Sequence, residues 1–92
     1  MPKMFNAYAP PVVWGPWTQI KSHGGPVSFT VKYKAVGSTL VLGKVRYWKE
    51  SDKKVEQQFV DRITIKTANV WGNIDVCFKG IPLGSAVQGE IG

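Results

Sequence analysis

Few residues of this chain are suited to metal binding or to nucleophilic catalysis. The 92 residues include one cysteine, Cys77, and one histidine, His23, which excludes a disulfide framework and a zinc site built from cysteines and histidines. The spacings of a phosphate-binding loop, a dinucleotide fingerprint and an EF-hand are also missing. The sequence therefore predicts neither a metal site nor a cofactor.

Long apolar runs are missing as well. No stretch reaches the length of about 18 apolar residues that a membrane-spanning helix needs, and the N-terminal residues do not include the apolar core of a signal peptide. We therefore expect a protein that has no membrane span and is made in the cytoplasm without a signal peptide.

The residues that are present have the composition of a small globular domain. Hydrophobic residues make up 43% and charged residues 20% of the 92-residue chain, which fits a single domain with one modest core. Twelve Lys and Arg against six Asp and Glu give a net charge of +6. This excess has two interpretations. One is an anionic partner such as nucleic acid or another polyanion, and the other is solubility alone, since small domains commonly carry a net charge of about 2–8.

Apolar and polar residues alternate along most of the chain after residue 26. Alternation with a period of two is typical of strands that have one buried face. It predicts strands at residues 27–35, 40–48, 55–66, 74–79 and 85–91, with a bend near Val60–Arg62 and turns at 68–73 and 80–84. We therefore predict an all-β fold, either a single antiparallel β-sandwich (jelly-roll-like or immunoglobulin-like) or a small partly open barrel.

The first 26 residues differ from the rest because they contain five of the six prolines. Proline interrupts helices and central strands, so we predict an extended N-terminal arm. A short strand at Trp17–Lys21 and a turn at 22–26 follow, and residues 27–92 form the sandwich of the same single domain. The aromatic residues of this arm, together with a tryptophan later in the chain, are candidates for assembly contacts or for a glycan site: Phe5, Tyr8, Trp14, Trp17 and Trp71.

A turn centred on Ser38 predicts a hairpin between the strands at 27–35 and 40–48, in which Tyr33 pairs with Gly43 and Phe29 with Tyr47. Its polar face then brings several basic residues together beside one aromatic ring: Lys32, Lys34, Lys44, Arg46 and Trp48. Basic residues beside aromatics can hold single-stranded nucleic acid, although such sites normally have two or three aromatics. A solvated sheet face is the alternative interpretation.

Catalysis is poorly provided for. His23 lies in a turn-like sequence without a predicted nucleophile or orienting partner, and we expect Cys77 to be a small covered residue. Glu50, Asp52 and Glu56 are interleaved with lysines, which favours local charge pairing over a cation site. We therefore predict that the protein is not an enzyme and has no catalytic residues.

The function predicted from these features is a structural or interaction module that self-assembles into a homo-oligomer. Oligomerisation stabilises small domains, and a component of a viral or phage particle is one form of such a module, by analogy of fold and size. Other structural proteins are further candidate partners. The alternative is a ligand-binding β-sandwich that uses its basic sheet face for nucleic acid or another polyanion, or exposed Trp side chains for a glycan.

Overall fold

The computed structural model describes residues 2–49 and 53–92 of the chain. It contains β1 (Lys3–Ala9), β2 (Thr18–Ala35), β3 (Leu40–Lys49), β4 (Lys53–Phe59), β5 (Arg62–Ile81) and β6 (Ser85–Ile91). These six strands form one sheet in the order β1-β6-β2-β5-β3-β4, and all neighbouring strands in it are antiparallel. The predicted all-β antiparallel fold is confirmed.

The two long strands, β2 and β5, pair along most of their length and connect the two halves of the sheet. The first part of β2 pairs with the middle of β5, and after a register shift between Val27 and Phe29 the second part pairs with the start of β5. Gly25 and Gly72 have positive φ values of 118° and 122° in this region, a conformation that glycine adopts without a steric penalty. β6 and β1 extend one half, whereas β3 and β4 extend the other.

The two halves enclose the hydrophobic core between them. Phe5 of β1 stacks on Phe78 of β5, with ring centroids 6.2 Å apart, and the Tyr33 ring meets Phe59 of β4 edge to face at 5.5 Å. The Tyr33 hydroxyl donates a hydrogen bond to the Val41 carbonyl oxygen, which satisfies its polar atom inside the core. The alternating apolar residues of β2, β3 and β5 supply most of the remaining core.

The predicted hairpin between β2 and β3 is wrong. β2 is hydrogen-bonded to β5 and β6, and β3 to β4 and β5. The residues expected to be neighbours do meet, but across the core: the Phe29 and Tyr47 rings are 5.8 Å apart and perpendicular, and the Tyr33 ring lies against Gly43. Alternation determines which side chains face the core, but it does not determine which strand lies alongside.

The N-terminal segment is extended as predicted, but most of it belongs to the sheet. Lys3–Ala9 forms β1 and pairs with β6, and the irregular part between β1 and β2 is residues 10–17, which we call the crossing segment. The short strand expected at Trp17–Lys21 is the start of the much longer β2, and residues 22–26 continue that strand.

Of the other local predictions, the turns expected at 22–26 and 68–73 are wrong and the bend near Val60–Arg62 is confirmed. The two supposed turns are paired with each other in β2 and β5, for example His23 with Gly72. Their glycines let the strands curve without ending. The bend separates β4 from β5, and Asp61 has a φ of 65° there. Of the acidic residues considered for a cation site, Glu50 and Asp52 lie outside the described residues.

Candidate functional site

Three connections between strands meet at one end of the sheet: those from β1 to β2, from β2 to β3 and from β5 to β6. The Val12 N–H donates a hydrogen bond of 2.8 Å to the Gly80 carbonyl oxygen. The Thr39 hydroxyl lies 3.0 Å from the carbonyl oxygens of both Ile81 and Leu83. These contacts hold the three connections against one another, so side chains that are distant in sequence become neighbours.

Large hydrophobic side chains are exposed on these connections and the strand ends beside them. Leu83 is 65% and Val12 64% exposed, and Leu40 pairs with Ile81 at the end of the β3–β5 ladder. We call this surface the apolar end, and its members are Tyr8, Val12, Val13, Val36, Leu40, Ile81 and Leu83. Exposed apolar side chains that lie together are features of candidate association sites.

The apolar end also lacks charge. Residues 4–20, 35–43 and 80–89 contain no Lys, Arg, Asp or Glu, and these three stretches supply the whole of the apolar end. The members of this surface are therefore all uncharged in a protein whose net charge is +6. The sequence contains this signal as three uncharged stretches, but only the fold shows that they adjoin.

A second surface lies on the outer side of β3 and β5 and carries all four tryptophans. Trp48 alternates with the core-facing Tyr47 on β3, and Trp71 follows the buried Val70 on β5, so both point away from the core and are 41% and 55% exposed. Trp14 and Trp17 come from the crossing segment, and their rings contact outward-facing side chains of β3 and β5. We call this surface the tryptophan face.

Three cations lie over tryptophan rings of this face. The Lys44 Nζ is 4.2 Å and the Lys79 Nζ 4.9 Å from the centroid of the same Trp14 ring, and the Arg46 guanidinium is 4.2 Å from that of Trp17. These distances are within the range of cation–π attraction. The contacts attach the crossing segment to the outer side of the sheet.

The three cations differ in whether a carboxylate pairs with them. Arg46 Nη2 donates to Asp75 Oδ2 over 2.8 Å, and both side chains are largely buried. Among the described residues, no carboxylate lies within ion-pair distance of Lys44 or Lys79. Arg46 is therefore part of a structural ion pair, whereas the two lysines beside Trp14 form no ion pair with a described carboxylate. Glu56 lines the same cleft as Lys44, but its ion pair is with Lys54.

The basic residues predicted to share one face lie in two places. Lys32 forms an ion pair of 2.8 Å with Glu90, and Lys34 pairs across the ladder with Gln88 of β6. Lys44 and Arg46 lie on β3 with Trp48, next to β4 and β5. The basic residues are separated because β2 and β3 do not pair as a hairpin. The two strands face each other across the core, so their outward faces point in different directions.

The candidate assembly or glycan residues are also divided. Phe5 is a core residue that stacks on Phe78, whereas Tyr8 belongs to the apolar end. Trp14, Trp17 and Trp71 lie on the tryptophan face. Sequence reasoning missed the contribution of Lys79 to this face, because only the fold places it over a ring from the crossing segment.

Cys77 is covered, and His23 lies within β2. Cys77 lies on the outer side of β5 opposite Lys44, yet it is only 2% exposed, as expected for a covered residue. Burial raises the pKa of the Cys77 thiol to about 11, and the nearby Lys44 opposes part of this shift, so the thiol is protonated at neutral pH. The His23 Nε2 lies 3.2 Å from the Pro26 carbonyl oxygen within β2.

Comparison with known proteins adds no relative: no family model, no curated protein and no solved structure matches this chain. Within residues 2–49 and 53–92, no helix is long and apolar enough to cross a membrane. What the protein does is therefore inferred from its two outer surfaces.

Proposed function

We propose that this protein is a non-enzymatic structural module that self-associates into a homo-oligomer through the apolar end. The observation that supports this is the grouping of seven exposed large hydrophobic side chains on a surface without charge. Burying one such side chain contributes about 1.5–3 kcal/mol, whereas association costs about 4–15 kcal/mol in lost freedom. One or two exposed residues would not offset that cost, but a group of this size does.

A second copy of the chain is the partner that this surface fits best. In a two-fold contact the same patch lies against itself, so a charged patch would repel its own copy. The apolar end avoids this repulsion although the chain carries a net charge of +6. Small domains with a modest core also gain stability from such contacts.

The test places two positive charges on the apolar end. We expect the wild-type chain to form a defined oligomer in sedimentation equilibrium or light scattering, and the double variant Val13→Lys, Leu83→Lys to be monomeric. Both side chains are exposed, so the variant should fold, and its far-UV circular dichroism and melting curve check this.

The control adds the same two charges elsewhere, as Trp48→Lys with Trp71→Lys on the tryptophan face. This variant should keep the wild-type oligomer. A wild-type chain that stays monomeric at millimolar concentration, or an oligomer that survives the charges at Val13 and Leu83, would overturn the proposal.

A further inference from the structure

The tryptophan face has the composition of a stacking surface, which the sequence did not show. The predicted hairpin places only Trp48 beside basic residues, too few aromatics for a nucleic-acid site. The fold adds Trp14, Trp17 and Trp71 to the same side of the sheet as Lys44 and Lys79. We infer that the tryptophan face binds single-stranded nucleic acid, a function separate from self-association through the apolar end.

Two of the four rings are available for stacking. Trp48 is 41% and Trp71 55% exposed. The β3–β5 ladder pairs Tyr47 with Ile74 and Lys49 with Val70, so Trp48 lies beside the segment that contains Trp71. Two exposed indoles on neighbouring strands form a platform on which successive bases stack without a requirement for a particular sequence.

The other two rings place the cations that would contact the phosphates. Lys44 and Lys79 lie over one Trp14 ring, which restricts their side chains before a ligand arrives and lowers the entropy lost on binding. Their like charges repel, and a phosphate between them would remove that repulsion. Lys44 precedes Trp48 by four residues on β3, about 13 Å along an extended strand, so a ligand that contacts both must extend over that distance, as a nucleotide chain does.

The face is less suited to an acidic polysaccharide, which is the other anionic polymer with flat apolar surfaces. Recognition of sugars depends on placed polar groups that bind hydroxyls. Two carboxylates of this face are already paired with cations of the protein. Asp75 accepts hydrogen bonds from Arg46, and Glu56 forms an ion pair of 3.6 Å with Lys54. Gln58 lies beside Lys44 and offers an amide, but the exposed rings and the ammonium groups of the face match bases and phosphates.

The experiment measures fluorescence anisotropy of a labelled oligothymidylate of about 12 nucleotides with the full-length chain at 50 mM salt. We expect Trp71→Ala and Trp48→Ala each to weaken binding roughly tenfold. The double variant Lys44→Ala, Lys79→Ala should weaken it at least as much, and it should reduce the dependence of log K on log salt by roughly 0.7 per lost phosphate contact.

The matched control removes the same number of charges from the other side of the molecule, as Lys32→Ala with Lys34→Ala. It should change affinity by no more than about twofold, because those lysines lie next to β6. Absence of binding, or equal losses in the two lysine pairs, would overturn the inference. Binding of a heparin fragment that depends on Trp48 and Trp71, without binding of the oligonucleotide, would also overturn it and assign the face to acidic polysaccharide.

Discussion

Asp75 and Cys77 lie on the outer side of β5, where alternation alone predicts exposed residues, yet both are buried. The reason is the crossing segment, whose Trp17 ring covers Arg46 and whose Trp14 ring covers Lys44. Arg46 supplies the hydrogen bonds that a buried carboxylate requires. At the scale of single residues, these contacts explain how the acid Asp75 and the thiol Cys77 can be buried on the outer side of β5.

The Cys77 thiol should therefore resist chemical modification in the folded chain. At pH 8 we expect no reaction with Ellman's reagent over an hour, and complete reaction of one thiol in 6 M guanidinium chloride. The variant Trp14→Ala removes part of the cover and should make the thiol reactive without denaturant. Rapid modification of the native wild-type chain would show that the crossing segment does not cover this position.

The same thiol makes a contribution to stability that depends on pH. Its pKa is raised from 9.0 to about 11 in the folded chain, so between these values the unfolded chain loses the proton first, which favours unfolding. This contribution is fully present below pH 9 and is lost as the pH rises through 11. Urea unfolding at pH 8 to 10.5 should show the wild-type chain losing stability relative to Cys77→Ala, and a difference that does not change with pH would contradict this.

At the scale of strands, the two edges of the sheet differ in their protection. β4 carries Lys53, Lys54 and Glu56, whereas β1 has a single charge, on Lys3, at its start. Charges on an edge strand discourage pairing with other chains. We therefore expect unwanted association between sheet edges to begin at β1 and not at β4.

A lysine in the middle of β1 should suppress this aggregation. Asn6 is exposed, and Asn6→Lys places like charges opposite each other when two β1 strands pair around their centre. We expect light scattering during incubation below the melting temperature to rise several-fold more slowly than for the wild type. Gln58→Lys on β4 adds the same charge to an edge already protected and should have little effect; equal protection by both variants would indicate that net charge alone acts.

At the scale of the whole molecule, charge is distributed unevenly over the surface. The molecule measures 37 × 26 × 17 Å along its principal axes. The apolar end consists of residues from the three uncharged stretches, and the net charge of +6 is carried by other parts of the chain. The Debye length is about 30 Å at 0.01 M salt and about 8 Å at 0.15 M, so repulsion between whole molecules is strong only at low salt.

The two proposed activities should therefore respond to salt in opposite directions. Self-association through the apolar end should strengthen between 0.01 M and 0.15 M salt, because screening weakens repulsion and leaves apolar burial unchanged. Binding of nucleic acid should weaken over the same range. Light scattering after size exclusion, with absorbance at 260 and 280 nm to detect bound nucleic acid, measures both. An oligomer that dissociates as salt rises would indicate contacts between charges instead of apolar ones.

The sequence by itself determined the all-β class and, in the strands that alternate clearly, which residues face the core, because the alternation of Val27 to Ala35 and of Val41 to Tyr47 permits only one buried face on each strand. It also contained the three uncharged stretches. Only the tertiary structure decided which strands are neighbours, since the same apolar faces satisfy a hairpin or a contact across the core. That choice separated Lys32 from Lys44, and the path of the crossing segment placed Trp14 over Lys44 and Lys79. Both surfaces consist of residues far apart in the chain, and periodicity does not show which distant residues come together in space.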